Sequence, residues 1–294
     1  MLLLAALVWG VAFVAQSEGL NYVGAFTFNT CRFILGGAVL IPCIYFLHGR
    51  KDSAWQTLSE KEKKEQTRMG IIGGICCGCI LCLASCLQQF GIAQTTVGKA
   101  GFITTLYIII VPFMGLFLKR KIGINIWISA VIAAVGMYFL CITESFSIGA
   151  GDRLVLMCSV VFSVHILVID HFSPKADGVV ISCVQFFTAG VIASVLMLLF
   201  EHPSVSAVIA AAAPILYAGV MSCGVGYTLQ VVAQNGVDPT VASLLLSLES
   251  VFSVLAGWML LGQKLSGREL FGCVLVFAAV LLVQIPTEKL FHTA

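Results

Sequence analysis

The sequence predicts an all-α integral membrane protein whose ten spans form two halves threaded in opposite senses. Three observations carry that prediction. Of 294 residues, 60% are hydrophobic and only 10% charged, against about 25% charged in an ordinary soluble domain. The apolar residues come in blocks near or above the length a helix needs to cross a bilayer, without the period-two alternation of barrel strands. Five such blocks fall in each half, and an odd number reverses the direction in which the second half enters the membrane.

In order, the spans read 1–16, 23–47, 70–93, 98–118, 124–143, 152–170, 178–200, 213–235, 238–261 and 269–286. The first lacks the basic leading region of a secretory signal, and a cleavage after Ala15 would put Phe13 where a small residue is wanted, so it is read as a span. The connections are short. The longest, His48 to Met69, holds Arg50, Lys51, Lys61, Lys63, Lys64 and Arg68 among four acids. It is too small to fold as a catalytic domain.

Lys and Arg counted by side orient the chain, because cytoplasmic loops carry the excess. With the N-terminus inside, the cytoplasmic face receives those six with Lys119, Arg120, Lys121, Lys175 and Lys289, eleven in all. The outer face receives Lys99, Arg153, Lys264 and Arg268, four, and Arg32 within a span completes the sixteen. Both termini are therefore expected on the cytoplasmic side of the cell (inner) membrane. The basic residues sit in loops and form no aromatic-interleaved face, so no nucleic-acid partner is expected.

The chain also repeats. Residues 8–40 align on 161–193, setting Arg32 on Gln185 and Gly37 on Gly190, and 111–140 align on 254–283. The domains are then 1–143 and 151–286, with a tail at 287–294. Inverted repeats of this kind recur in secondary transporters, since two like-built halves can expose one central site to each side in turn.

Chemistry concentrates on polar residues inside the spans. Glu249 lies about 16 Å beyond Asp238 along the ninth span, near mid-depth, where a carboxylate costs about 2.5–3.5 kcal/mol. It is a candidate substrate or proton site; the structural alternative is a buried carboxyl hydrogen-bonded by Ser250 or Ser253. Arg32 in the second span should reach similar depth. It is a candidate partner of Glu249, or a fork for a carboxylate or phosphate while Glu249 takes a proton; the alternative is a permanent ion pair joining the halves.

Gln88 and Gln230 hold nearly equivalent places in spans three and eight, in opposite leaflets, and are candidate gate residues or plain interhelical hydrogen-bonders. Trp9 and Tyr107 lie away from the interfacial belts and could line a cavity or simply pack. Lys99 heads the fourth span, where snorkelling to water competes with drawing anions to a cavity mouth. His165 is read as a polar residue lining the bundle or a hydrogen-bonded core group, and Gln185 joins these candidates as the repeat mate of Arg32. Gly70, Gly74 and Gly78 leave one face of the third span nearly bare, so another helix can approach closely there.

Two apparent motifs lead elsewhere. Cys76, Cys77, Cys79, Cys82 and Cys86 include a Cys-x-x-Cys, yet no histidine or second cysteine pair adjoins them, and no metal is expected. His165 and Asp170 have an acyltransferase-like spacing, but five residues along a helix turn them roughly 140° apart. A lipid-modifying enzyme would need His165, Asp170 and His171 gathered at the cytoplasmic face. That enzyme and a non-transporting scaffold are the rival readings.

Trp9-Gly10, Arg32-Phe33, the run Gly98 to Tyr107 with Val111-Pro112, and LSLESVFSVLAGWMLLGQKLS from Leu246 resemble the EamA type of the drug/metabolite transporter (DMT) superfamily. The resemblance covers nearly the whole chain as two EamA-like repeats. It implies a ten-helix permease without enzymatic activity or cofactor, many relatives being exporters of a metabolite, amino acid or drug. It also implies that spans five and ten lie at the periphery of a central cavity. Its partners would be a small-molecule substrate and the lipid bilayer; proton coupling and oligomeric state stay open. The family pattern at Glu249 reads Leu-Glu-Pro-Val, and this chain has Ser250 in place of proline. The ninth span is accordingly expected to run straighter, with Pro112 kinking the fourth.

Overall fold

The computed structural model describes residues 1–50, 54–95, 97–120, 122–141, 148–261 and 266–283, without the side chains of 54, 97–99, 140–141, 257 and 260–261. Among the described residues the chain is helical and has no strand. Helices α1 (Leu2–Gly19), α2 (Ala25–Gly49) and α3 (Glu60–Ile92) precede a broken α4 (Val97–Thr104 and Tyr107–Phe117), and α5 spans Ile124–Cys141. The second half comprises α6 (Ala150–Phe172), α7 (Gly178–Phe200), a composite α8 (Ala212–Gln234), a broken α9 (Pro239–Leu246 and Glu249–Leu261) and α10 (Gly267–Val283). Eight of these segments are long and apolar enough to cross a membrane, and Ile124–Phe139 is a shorter apolar helix. The expected tail 287–294 and the backbone of Lys51, Lys121, Lys264 and Lys289 lie outside the described residues.

Both breaks differ from the expectation drawn from proline. In α9 the ladder lapses at Ser247–Leu248 although no proline is present. Leu248 and Ser250 amides reach back three residues, to Leu245 and Ser247 carbonyls, where a helix would reach back four. The hydroxyls of Ser243, Ser247 and Ser250 donate to the carbonyls of Thr240, Leu244 and Ser247 at 2.7–2.8 Å. Such back-bonding competes with the ladder and bends it. In α4 the break falls at Thr105–Leu106, upstream of Pro112, and the Thr105 hydroxyl donates to the Gly101 and Phe102 carbonyls. Serine and threonine hydroxyls thus accompany both interruptions.

Helix contacts fix relative directions. Along α2 and α7, Phe26 meets Phe200 at 5.9 Å, Gly37 lies under Phe187 and His48 bonds Asp177 at 2.9 Å, so the two run antiparallel. Phe139 meets Phe271 at 5.4 Å while Gly136 faces Leu275 and Val276, which makes α5 and α10 antiparallel too. The halves of α4 and α9 pair crosswise, the first part of one on the second part of the other. Further, α3 packs on α6 and α7 as α8 packs on α1 and α2.

The glycine seam of α3 seats α7. Gly70, Gly74 and Gly78 face Val180, Val184 and Thr188 in turn, a parallel pairing. Lipid tails are as apolar as the side chains, so close van der Waals approach must supply what hydrophobic burial supplies in water. Polar staples hold the helix ends. Glu201 at the end of α7 accepts from the Phe26 and Thr27 amides and the Thr27 hydroxyl, capping α2. At the opposite end, Asp177 caps α7 through the Val179 amide while holding His48, whose ring is stacked on Trp55.

A β-carbon at Gly78 would stand 2.6 Å from the Gln185 carbonyl oxygen and from Thr188 Cβ. Gly78→Leu should therefore destabilise the fold by about 1–3 kcal/mol, read as a lower unfolding temperature of the detergent-purified protein, whereas Gly49→Leu, which meets nothing, should leave it unchanged.

Candidate functional site

The two breaks face one another. Each begins a second half-helix, at Tyr107 and at Glu249, and the Tyr107 hydroxyl donates to Glu249 Oε1 at 3.0 Å. The partner of Glu249 is thus a residue of the other half, rather than Ser250 or Ser253. Ser250 spends its hydroxyl on a carbonyl of its own helix, and Ser253 is buried off the cavity, its backbone against Gly10 of α1. Glu249 is only 4% exposed. A carboxyl opening a helix also meets the positive end of that helix's dipole.

Around this contact lies a central cavity of about 40 Å³. At about 10–15 Å³ per water, it has room for about three. Trp9, Arg32, Gln88, Tyr107, His165, Gln230 and Glu249 all line it, together with Gln16, Thr104, Phe162, Ser222 and Tyr227. Gln185 lies one layer behind, its Oε1 3.1 Å from His165 Nε2. The backbone of Lys99 heads α4, and its side chain is outside the described residues.

Arg32 and Glu249 share the cavity without pairing: no ion pair within 4.0 Å joins them among the described residues. Arg32 Nη1 donates instead to Gln16 Oε1 at 3.0 Å, and the guanidinium lies 4.8 Å from the Phe33 ring centre. At 2% exposure it is shielded from lipid, as Glu249 is. Gln88 Nε2 donates weakly to Thr104 Oγ1 at 3.4 Å, and Gln230 Oε1 has no partner among the described residues.

The widened π-helical stretch Tyr217–Tyr227 shapes the wall opposite α1. Its Ser222 carbonyl accepts from Trp9 Nε1 at 3.3 Å, and Trp9 meets Tyr227 at 4.5 Å between ring centres. Such bulges often mark working sites. Gly226 lets the indole in, since a β-carbon there would come within 2.7 Å of its nitrogen.

Gln16, which lines the cavity, and the buried Gln89 and Gln234 are not among the residues that the sequence singles out. Yet Gln89 Nε2 donates to the Gln16 carbonyl and Gln234 Nε2 to the Ile166 carbonyl, matching clamps of α3 on α1 and of α8 on α6. Their common signal is a glutamine late in the third block of each half. Of the residues the enzyme reading needs, His165 faces the cavity, Asp170 pairs with Arg120, and His171 contacts Lys175. They have separate partners.

Tyr107→Phe should cost about 1–3 kcal/mol by leaving a buried carboxyl unmatched, and much less in a Glu249→Ala background. A double-mutant cycle on thermal unfolding checks the coupling.

Comparison with known proteins places this geometry. The model of the EamA-like transporter family matches residues 1–142 and again 149–285. A protein of Archaeoglobus fulgidus named an uncharacterized transporter is 29% identical over 285 residues, spanning 97% of this chain and 84% of its own. A protein of known crystal structure superposes with a TM-score of 0.73 at 17% identity, covering 98% of each chain, a likeness of fold.

Proposed function

The chain belongs to the EamA-like transporter family, a multi-pass membrane protein of the DMT superfamily, and from that premise we propose that it is a secondary permease exporting a small organic solute by alternating access. The proposed architecture is ten membrane helices in two inverted five-helix repeats, 1–143 and 151–286, with both termini cytoplasmic. Supporting it, the repeat mates α2 and α7, α4 and α9, and α5 and α10 run antiparallel, and the packing partners of α3 and α8 exchange when the halves are exchanged. The excess of Lys and Arg on the loops assigned inside supports the orientation.

The observation that carries the reading is the Tyr107–Glu249 contact. A hydrogen bond across facing breaks joins the halves at the cavity, where a change in one half is felt by the other. Broken helices with polar groups at the break are how transporters place solute and ion sites at mid-membrane. Glu249 is the proposed coupling group, with protons the proposed ion. Arg32, Trp9 and Tyr107 complete the proposed solute site, and Gln88 and Gln230 flank it toward opposite faces. The separate partners of His165, Asp170 and His171 favour this over a lipid-modifying enzyme.

Glu249→Gln should keep folded protein in the membrane, because the amide oxygen still accepts from Tyr107. Transport should be abolished or lose its pH dependence. Resistance of overexpressing cells to toxic metabolites and amino-acid analogues, followed by proteoliposome flux between pH 5 and 8, measures both; full flux with an unchanged pH profile removes Glu249 from the mechanism.

A further inference from the structure

We infer that one edge of the Arg32 guanidinium is an oxyanion subsite, so that a solute moved by this chain carries a carboxylate or phosphate group. This rests on the transport reading above and adds the chemistry of the cargo. Arg32 uses Nη1 for Gln16, while Nε and Nη2 have no hydrogen-bond partner among the described residues. Those two nitrogens form the side of the guanidinium whose N–H bonds run parallel, the pair that grips two oxygens of one planar or tetrahedral oxyanion. The Gln16 bond and the Phe33 and Phe28 rings, at 4.8 and 5.8 Å, hold the group's plane in place.

Among the described residues no acid answers this edge. Glu249 accepts from Tyr107, Glu201 is committed to the Phe26 and Thr27 amides, and neither comes within 4.0 Å of Arg32. A guanidinium 2% exposed and facing no carboxylate is an uncommon expense inside a membrane.

The repeat argues against a purely mechanical role. At the matching place in the second half, Gln185 bonds His165 and ties α7 to α6 without a fixed charge. Fastening the second-span helix to the first-span helix of its half therefore does not require an arginine. The charge appears in one half only, on the wall of the cavity. The edge itself is sealed in this conformation, so an oxyanion would reach it when the helices around Arg32 part, as alternating access requires.

Thermal unfolding of the purified full chain in detergent tests this, with propionate, methyl phosphate and propylamine as matched probes against sodium chloride of equal ionic strength. Propionate or methyl phosphate should raise the midpoint by about 2–4 °C near saturation, and propylamine should not. Whichever oxyanion acts at the lower concentration identifies the carboxylate or the phosphate as the group preferred. Arg32→Lys, which keeps the charge and loses the fork, should weaken that binding about tenfold or more, and Arg32→Gln should remove it. Should Arg32→Gln fail to insert, Arg32→Lys decides alone.

The inference is overturned if neither oxyanion stabilises the wild type, or if Arg32→Lys binds as the wild type does. Stabilisation by propylamine alone would sink the oxyanion subsite while leaving a solute-binding cavity, and so the transport reading, intact.

Discussion

A buried carboxyl in a bilayer needs a hydrogen-bond donor that is not water, and in this protein Tyr107 supplies it to Glu249 from the other half of the chain. Much of the architecture follows from that need. Two helices must approach face to face so that the two side chains meet, and in this chain both are interrupted where they do. The helices around them must exclude lipid from both groups. The contact of α4 with α9, flanked by α1, α6 and α8, meets both conditions.

The breaks also show that proline is one of several means to one end. A hydroxyl that donates to a carbonyl three or four residues back competes for the acceptor that the ladder needs. Three serines in α9 and one threonine in α4 do this within a turn or two of the interruption. A hydroxyl-made break keeps every amide N–H available, whereas proline removes one permanently.

Around this centre, small residues set distances and polar staples set ends. The glycines of α3 admit α7, Glu201 and Asp177 close the α2–α7 pair at its two ends, and Gln89 and Gln234 repeat one clamp in both halves.

The sequence by itself determined the helical membrane class, the order of the apolar helices, the glycine seam and six of the polar residues that line the cavity, because each is a local property: hydropathy, spacing, or an ionisable group where lipid forbids one. Family membership was legible from the same motifs. Only tertiary structure decided who meets whom. Arg32 could have paired with Glu249 on depth alone, yet Gln16 lies nearer on the adjoining helix and Tyr107 nearer to Glu249 across the breaks. Likewise the straight ninth helix inferred from the missing proline gave way to serine back-bonds, and Tyr227 reached the cavity through a π-helical widening. Pairings of this kind depend on helix rotation and crossing, which packing of many residues sets together and no single stretch encodes.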